Sequence, residues 1–365
     1  MSGGARLPRW VDLGLLPLLN LSAAFLLSGL VVLAIGEDPI KALRILVNGA
    51  VGYPEAIAFT LYYTTNFVLT GLAVALAFHA GLFNIGGEGQ AYVAGLGVGL
   101  ACLYLDFLPG FAVVPIAILA AAAFGAAWAA IPGWLEAYRG SHVVITTIMF
   151  NFLAAALMTY LITNWLLDPA HGAPETRRFA GHTTLWTMQE MLGWFGVKAP
   201  RSPLNAAFFL ALAAAAFVWV YVWHTRAGYR LRTVGSSHKA ALYAGIDPAR
   251  TIVVAMAISG ALAGLMAVNE IQGAQARLIL SFTGGYGFVG IAVALMGRNH
   301  PLGVCLAALL FGALYQGGAE LAFEMRNVNR EMVIVIQGLI ILFCGALENM
   351  FRPALARLFA SRAGA

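Results

Sequence analysis

Leu204-Asn-Ala-Ala-Phe-Phe-Leu-Ala-Leu-Ala-Ala-Ala-Ala-Phe-Val-Trp-Val-Tyr-Val-Trp223 carries no charged side chain anywhere along its length. A helix of about 20 such residues, rising about 1.5 Å per residue, crosses the ~30 Å hydrocarbon layer of a bilayer. Thr251 to Asn269 is likewise uncharged, and Val11 to Ile35 carries only Asp12, at its start. None of these runs shows the half-polar stripe of a surface helix. The whole composition agrees: 61% of residues are hydrophobic and 10% charged, against about 25% charged in an ordinary soluble domain. A chain of this size cannot coat a water-facing surface with so few charges, so it is an all-α polytopic membrane protein.

Apolar runs fall near 13–35, 56–78, 88–106, 111–131, 143–167, 204–223, 252–270, 284–297, 302–323 and 332–347, which predicts about ten spans, the eighth short. The first run follows Arg6 and Arg9 as a signal peptide would, but it is too long, and Gly36-Glu37-Asp38 offers no small-residue cleavage site. It is expected to be a retained first helix. With the N-terminus inside, the inner side collects Arg6, Arg9, Arg139, Arg226, Arg230, Arg232, Lys239, Arg250, Arg298, Arg352, Arg357 and Arg362, whereas the short outer loops hold only Lys41, Arg44, Arg277, Arg326 and Arg330. Positive charge on the cytoplasmic side predicts both termini inside, and it accounts for the net charge of +5 without nucleic acid. On this topology 168–203 is an external loop with an amphipathic-looking stretch, Leu185 to Phe195, and 224–250 is cytoplasmic. Cys102, Cys305 and Cys344 lie inside apolar runs and form neither a metal pattern nor a disulfide framework.

No Gly-x-x-x-x-Gly-Lys-Ser/Thr occurs, so the chain does not hydrolyse ATP through a phosphate-cradling loop. His79, His142, His171, His182, His224, His238 and His300 are scattered without ligand spacing, which predicts no metal site, no cofactor and no catalytic centre. In 224–250, Gly235, Ser236 and Ser237 suit a turn and helix start, Gly245 suits a helix stop, and Asp247-Pro248 suits the start of the next span. The short helix between them places Ala240, Tyr243 and Ala244 on one face, fit either to dock into a groove on another protein or to lie as a solvated basic loop near headgroups.

Gly235-x-x-x-x-Ala240-Ala241-x-x-x-Gly245-Ile246 resembles the coupling-helix motif of ATP-binding-cassette importer permeases, in the branch that handles ribose-type sugars, nucleosides and branched-chain amino acids. Two further stretches are similar to signatures of the nucleoside and simple-sugar members. They are Gly81-Leu-Phe-Asn84-Ile-Gly-Gly-Glu88-Gly-Gln90 and Gly285-Tyr-Gly-Phe-Val-Gly-Ile-Ala-Val-Ala-Leu-Met-Gly-Arg298-Asn-His-Pro-Leu-Gly303. Relatives commonly carry another small or aliphatic residue at Gly87. The resemblance implies one permease domain over 1–365, of the type II importer kind, with two inverted halves; the glycine-rich breaks at 84–89 and 284–290 hint at such a repeat. It implies no enzyme activity in this chain. Its expected partners are cytoplasmic ATP-binding subunits, a second and dissimilar permease, an extracytoplasmic substrate-binding protein and the lipid bilayer. The ATPase contacts would fall on Gly235, Ser236, Ala240, Ala241, Tyr243, Ala244, Gly245 and Ile246. The solute would be a nucleoside or related purine, with ribose-type sugars second.

The polar residues of the spans admit two readings each. Asn84, Glu88 and Gln90 could face a polar solute at a broken helix, or Glu88 could cap helix ends or bond a neighbouring loop. Asn66, Asn151 and Gln316 could line a pathway or bond between helices. Asn269-Glu270-x-Gln272-x-x-Gln275 is expected to be a helix end running out into water, and Trp134, Trp165, Trp186, Trp194 and Trp223 are expected to be interfacial anchors. The alternative function is an ion-coupled secondary transporter of a small polar solute, for which Glu88 and Glu320 are the candidate relay groups.

Overall fold

The computed structural model describes residues 11–170, 172–325, 327–328, 330–343, 353 and 355. Cys344, His171 and the arginines at positions 6, 9, 326, 352, 357 and 362 lie outside them. Fourteen α-helices are described: α1 Leu16–Ala34, α2 Pro39–Val51, α3 Pro54–His79, α4 Gly87–Tyr104, α5 Gly110–Arg139, α6 Val143–Leu161, α7 Met188–Gly193, α8 Ala207–His224, α9 Arg226–Ser236, α10 His238–Tyr243, α11 Pro248–Ala267, α12 Tyr286–Met296, α13 Pro301–Glu324 and α14 Arg330–Ile341. Among the described residues no strand forms. The chain divides into two compact units, Met1–Gly52 with Leu314–Ala365, and Tyr53–Ala313.

Every apolar run of the sequence is met by a helix, though the helices differ in length and apolarity. Among the described residues, six helices are long and apolar enough to cross a membrane, and a seventh crossing arises if α1 and α2, bent by 120° at Ile35–Asp38, form one broken span. Of the three runs left, α14 is described over 12 residues, and the other two fall short for physical reasons. The 11 residues of α12 extend only about 17 Å, roughly half the hydrocarbon thickness. α4 is buried on nearly every side, so glycine and alanine replace the large apolar residues that a lipid-facing helix carries. α5 continues past its apolar run, through Pro132, to Arg139.

In the larger unit α3, α4 and α11 are mostly buried, while α5, α6 and α8 keep most of their side chains on the outside. Both environments are apolar in a bilayer, so small residues at the crossings mark who packs against whom. At the α5–α11 crossing a Cβ on Gly260 would sit 2.3 Å from both Ala129 Cβ and Gly125 O, and one on Gly264 2.5 Å from Ala121 O. Ala121, Gly125 and Ala129 recur every four residues on α5, as Gly260 and Gly264 do on α11, so the two backbones touch.

The 168–203 segment folds back onto this unit. Arg177 donates to Leu103 O at 2.6 Å and pairs with Asp106 at 2.9 Å. Glu175 pairs with Arg277, and Leu185 N donates to Gln272 O at 3.2 Å. Within it α7 starts with a capping box of Thr187 and Glu190, and Trp186 and Trp194 meet edge to face at 5.1 Å.

Candidate functional site

The break between α3 and α4 is made by Gly81, at φ 76°, and is locked by amides. Asn84 and Gln90 exchange two hydrogen bonds of 3.0 Å. Asn84 also donates to Ser259 Oγ at 2.9 Å and accepts from Gly86 N at 2.9 Å. Ser259 in turn donates to Ala73 O at 2.7 Å, which ties α11 to α3. From α6, Asn151 accepts from Gly89 N at 2.9 Å and donates to Ile85 O at 3.0 Å. Asn84 and Asn151 therefore satisfy backbone groups that a broken helix leaves without partners, and Gln90 holds Asn84 in place.

Glu88 sits in the first turn of α4, and its two oxygens accept from Gly285 N at 2.9 Å and Gly287 N at 2.8 Å. The N-termini of α4 and α12 meet here, each carrying a partial positive charge. One carboxylate between them relieves the repulsion and satisfies two N–H donors at the start of α12. Gly287 permits the approach, since a Cβ on it would sit 2.2 Å from Glu88 N. A Cβ on Gly87 would lie 3.5 Å from Gly287 O, ordinary contact, so a small residue fits there.

A second polar cluster joins α3 to the end of α11. Tyr62 Oη donates to Glu270 Oε1 at 2.5 Å, and Asn66 Nδ2 donates to the same oxygen at 2.6 Å. Asn269 Nδ2 donates to Asn66 Oδ1 at 2.8 Å, and Asn205 Nδ2 to Asn269 Oδ1 at 2.9 Å. This corrects the expectation of a helix running into water: Asn269, Glu270 and Gln272 are 0%, 3% and 0% exposed. The reason is tertiary. Residues Val268–Gln275 wind as a π-helix, and the 180–187 stretch lies over them, with Gln272 donating to Thr183 O at 2.8 Å. Aromatic rings flank the cluster: Tyr63 is 5.3 Å from Tyr62 and 6.3 Å from Tyr286, and Phe67 is 5.6 Å from Tyr286. Gln316 lies in the other unit, where it donates to Glu320 at 3.3 Å.

In 224–250 the turn chemistry is as the sequence predicts. Ser237 caps α10, Gly245 takes a left-handed φ of 71°, and Asp247 caps α11 ahead of Pro248. The sequence did not reveal α9 as a separate helix; its signal is Thr225, which caps it, followed by Gly228, Leu231 and Val234 on a buried face. Gly235, Ser236, Ala240, Tyr243, Ala244 and Gly245 are exposed, Tyr243 at 95%, and so is Leu242 at 62%. Ala241 and Ile246 are buried and hold α10 to its own chain. Gly235 packs backbone on backbone against the break below α3, for a Cβ there would lie 2.3 Å from His79 O. Of the expected aromatic anchors, Trp134, Trp165, Trp186 and Trp194 are exposed. Trp223 is instead half-buried, within 5.1 Å of His79 and 5.2 Å of His300.

Comparison with known proteins places these features in a family. The profile described as branched-chain amino acid transport system / permease component matches residues 56–345. The guanosine ABC transporter permease protein NupP of Bacillus subtilis is 36% identical over 90% of this chain and 92% of its own length. The glucose ABC transporter permease protein TsgB13 of Haloferax volcanii is 34% identical over 92% and 88%. The nucleoside ABC transporter permease protein NupB of Lactococcus lactis subsp. cremoris is 32% identical over 90% of each.

Proposed function

Because the chain belongs to the family of branched-chain amino acid transport system permease components, we propose that it forms the wall of an inward passage for a nucleoside or simple sugar. It is a membrane-spanning permease subunit of an ABC transporter, and ATP hydrolysis belongs to a separate subunit. The solute class is inferred from relatives named for guanosine, glucose and nucleosides. The observation that carries the mechanism is the exposed α10, which presents Ala240, Leu242, Tyr243 and Ala244 outward while Gly235 seats its base on the α3 break. An ATPase that closes on ATP and moves α10 thereby moves the backbone at His79–Gly81, next to the amide lock of Asn84 and Gln90. Packed cores respond to such a shift by switching between two arrangements, which is what alternating access requires.

The finer reading follows from the same elements. The 224–250 segment is the cytoplasmic coupling segment and 168–203 the external ledge that receives a substrate-binding protein. Both termini lie inside, with about ten crossings if α4, α14 and α12 with the stretch before it each make one. A second, dissimilar permease completes the passage, and the facing breaks before α4 and α12 are the related points of two inverted halves. Asn84, Glu88, Gln90 and Asn151 frame the pathway, and Asn66 faces it.

The test is co-purification. The chain is expressed with its genomic neighbours, extracted in lipid discs through a tag on this subunit, and assayed for ATP-driven uptake of guanosine and glucose. A cytoplasmic ATPase and a second permease are expected in the purified complex. Recovery of this chain alone, with uptake that survives ATP depletion and collapses with the proton gradient, would establish the ion-coupled alternative instead.

A further inference from the structure

We propose that Glu270, together with Asn66 and Tyr62, reads the hydroxyl groups of the transported solute, with the rings of Tyr63 and Tyr286 receiving its flat portion. The inference rests on the reading of the chain as a nucleoside or sugar permease and assigns the residue that discriminates.

Glu270 is a carboxylate inside a membrane-spanning segment, Pro248–Gln275, and is 3% exposed. A brace between helices does not need an acid, because an amide makes the same bonds without the cost of burying an ionisable group. Ionisable residues persist in such places where they act on a solute or an ion. Among the described residues, the side chains that donate to Glu270 are Tyr62 and Asn66, both neutral and both ending on Oε1. A carboxylate has about four acceptor positions, so Glu270 holds acceptor capacity beyond these bonds. The π-helical turn of Val268–Gln275 brings Asn269, Glu270 and Gln272 into the protein together; an α-helix would spread consecutive side chains by ~100° each, and π turns concentrate at functional positions.

The surroundings narrow the ligand. Tyr63 and Tyr286 are half-exposed, and Tyr286 is the first residue of the short α12, whose start is held by Glu88 of α4. An acceptor-only carboxylate, an amide that both donates and accepts, and two tyrosine rings fit a solute with adjacent hydroxyls on one part and a flat ring on another. In the arrangement described here Tyr62 and Asn66 supply the donors that a solute would bring. As α3 and α11 part, solute hydroxyls replace them, so the carboxylate keeps hydrogen-bond donors at each stage. A site built around hydroxyl donors rejects an analogue that lacks them far more strongly than an apolar pocket does.

The test is uptake by the complete transporter at saturating solute, so that the binding protein is the same in every variant. Two probe pairs are used: guanosine against 2′,3′-dideoxyguanosine, and glucose against 2-deoxyglucose, each normalised to the amount of tagged chain in assembled complex. Wild type is expected to prefer the hydroxylated member of whichever pair it transports. Glu270→Gln is expected to cut uptake of that member at least tenfold while changing its deoxy analogue less than twofold, and Glu270→Asp to retain the preference at a lower rate. The proposal is overturned if Glu270→Gln keeps the wild-type ratio, or if both members fall in parallel, which is the signature of a brace. Transport by wild type of neither pair would overturn the solute class and this assignment together, whereas an unchanged ratio in an active Glu270→Gln transporter removes only this assignment.

Discussion

Removing the carboxylate at Glu88 should loosen the start of α12 where it meets the start of α4. Its oxygens accept from Gly285 N at 2.9 Å and Gly287 N at 2.8 Å, and the first turns of α4 and α12 abut it. Glu88→Gln keeps the shape but turns one acceptor into a donor facing an N–H. One hydrogen bond to a charged group is worth about 1.5–3 kcal/mol, and loss of the charge forfeits roughly 0.3–1 kcal/mol at each of two helix N-termini. The total, about 2–5 kcal/mol, corresponds to at least roughly thirtyfold in the local opening equilibrium, at about 1.4 kcal/mol per factor of ten. Hydrogen exchange read by mass spectrometry on the purified complex reports that equilibrium directly. Amides of the Gly285–Val289 peptide should exchange at least thirtyfold faster in Glu88→Gln, and faster again in Glu88→Ala, while the peptide around Gly260 on α11 is unchanged. Exchange in Glu88→Ala within about threefold of wild type would refute the idea that this carboxylate holds the start of α12.

Other expectations follow from the same geometry. Asn84→Ala leaves both amide atoms of Gln90 and the Gly86 N–H without their partner, at about 1–3 kcal/mol for each buried group; the variant should show a lower melting temperature in detergent, whereas Ser259→Ala, which removes two bonds and leaves the Asn84–Gln90 pair intact, should show a smaller drop. Gly260→Leu places a side chain where even a Cβ lies 2.3 Å from Gly125 O, so α5 and α11 cannot close and the chain should fail to elute as a single species in size-exclusion chromatography. Ala244→Asp puts a charge on the exposed α10 without touching the core, so membrane levels should match wild type while uptake is lost and ATP hydrolysis no longer responds to solute; wild-type uptake in that variant would argue against α10 as the ATPase contact.

Much of this molecule is legible in order of sequence. Uncharged runs long enough to cross a bilayer declare a membrane protein, because no other solvent tolerates them. Ser237, Gly245 and Asp247-Pro248 declare the ends of α10 and the start of α11, because capping and left-handed φ are local chemistry settled within a few residues. The Glu88 reading stayed divided between solute contact and cap, because its partners, Gly285 and Gly287, lie almost two hundred positions further along the chain and nothing local points to them.

The tertiary structure decided what surrounds each polar residue. Asn269-Glu270-x-Gln272 has the composition of a helix end entering water, and only the π turn and the overlying 180–187 stretch show it to be enclosed. The same holds for the span count. Hydropathy reads α4 and α12 alike as apolar runs; the fold shows the first to be a glycine-rich helix enclosed by its neighbours and the second too short to cross alone. Periodicity and capping depend on neighbours in the chain and are written there. Burial and pairing depend on which distant helices approach, and in a membrane, where inside and outside are both apolar, hydrophobic pattern cannot report that.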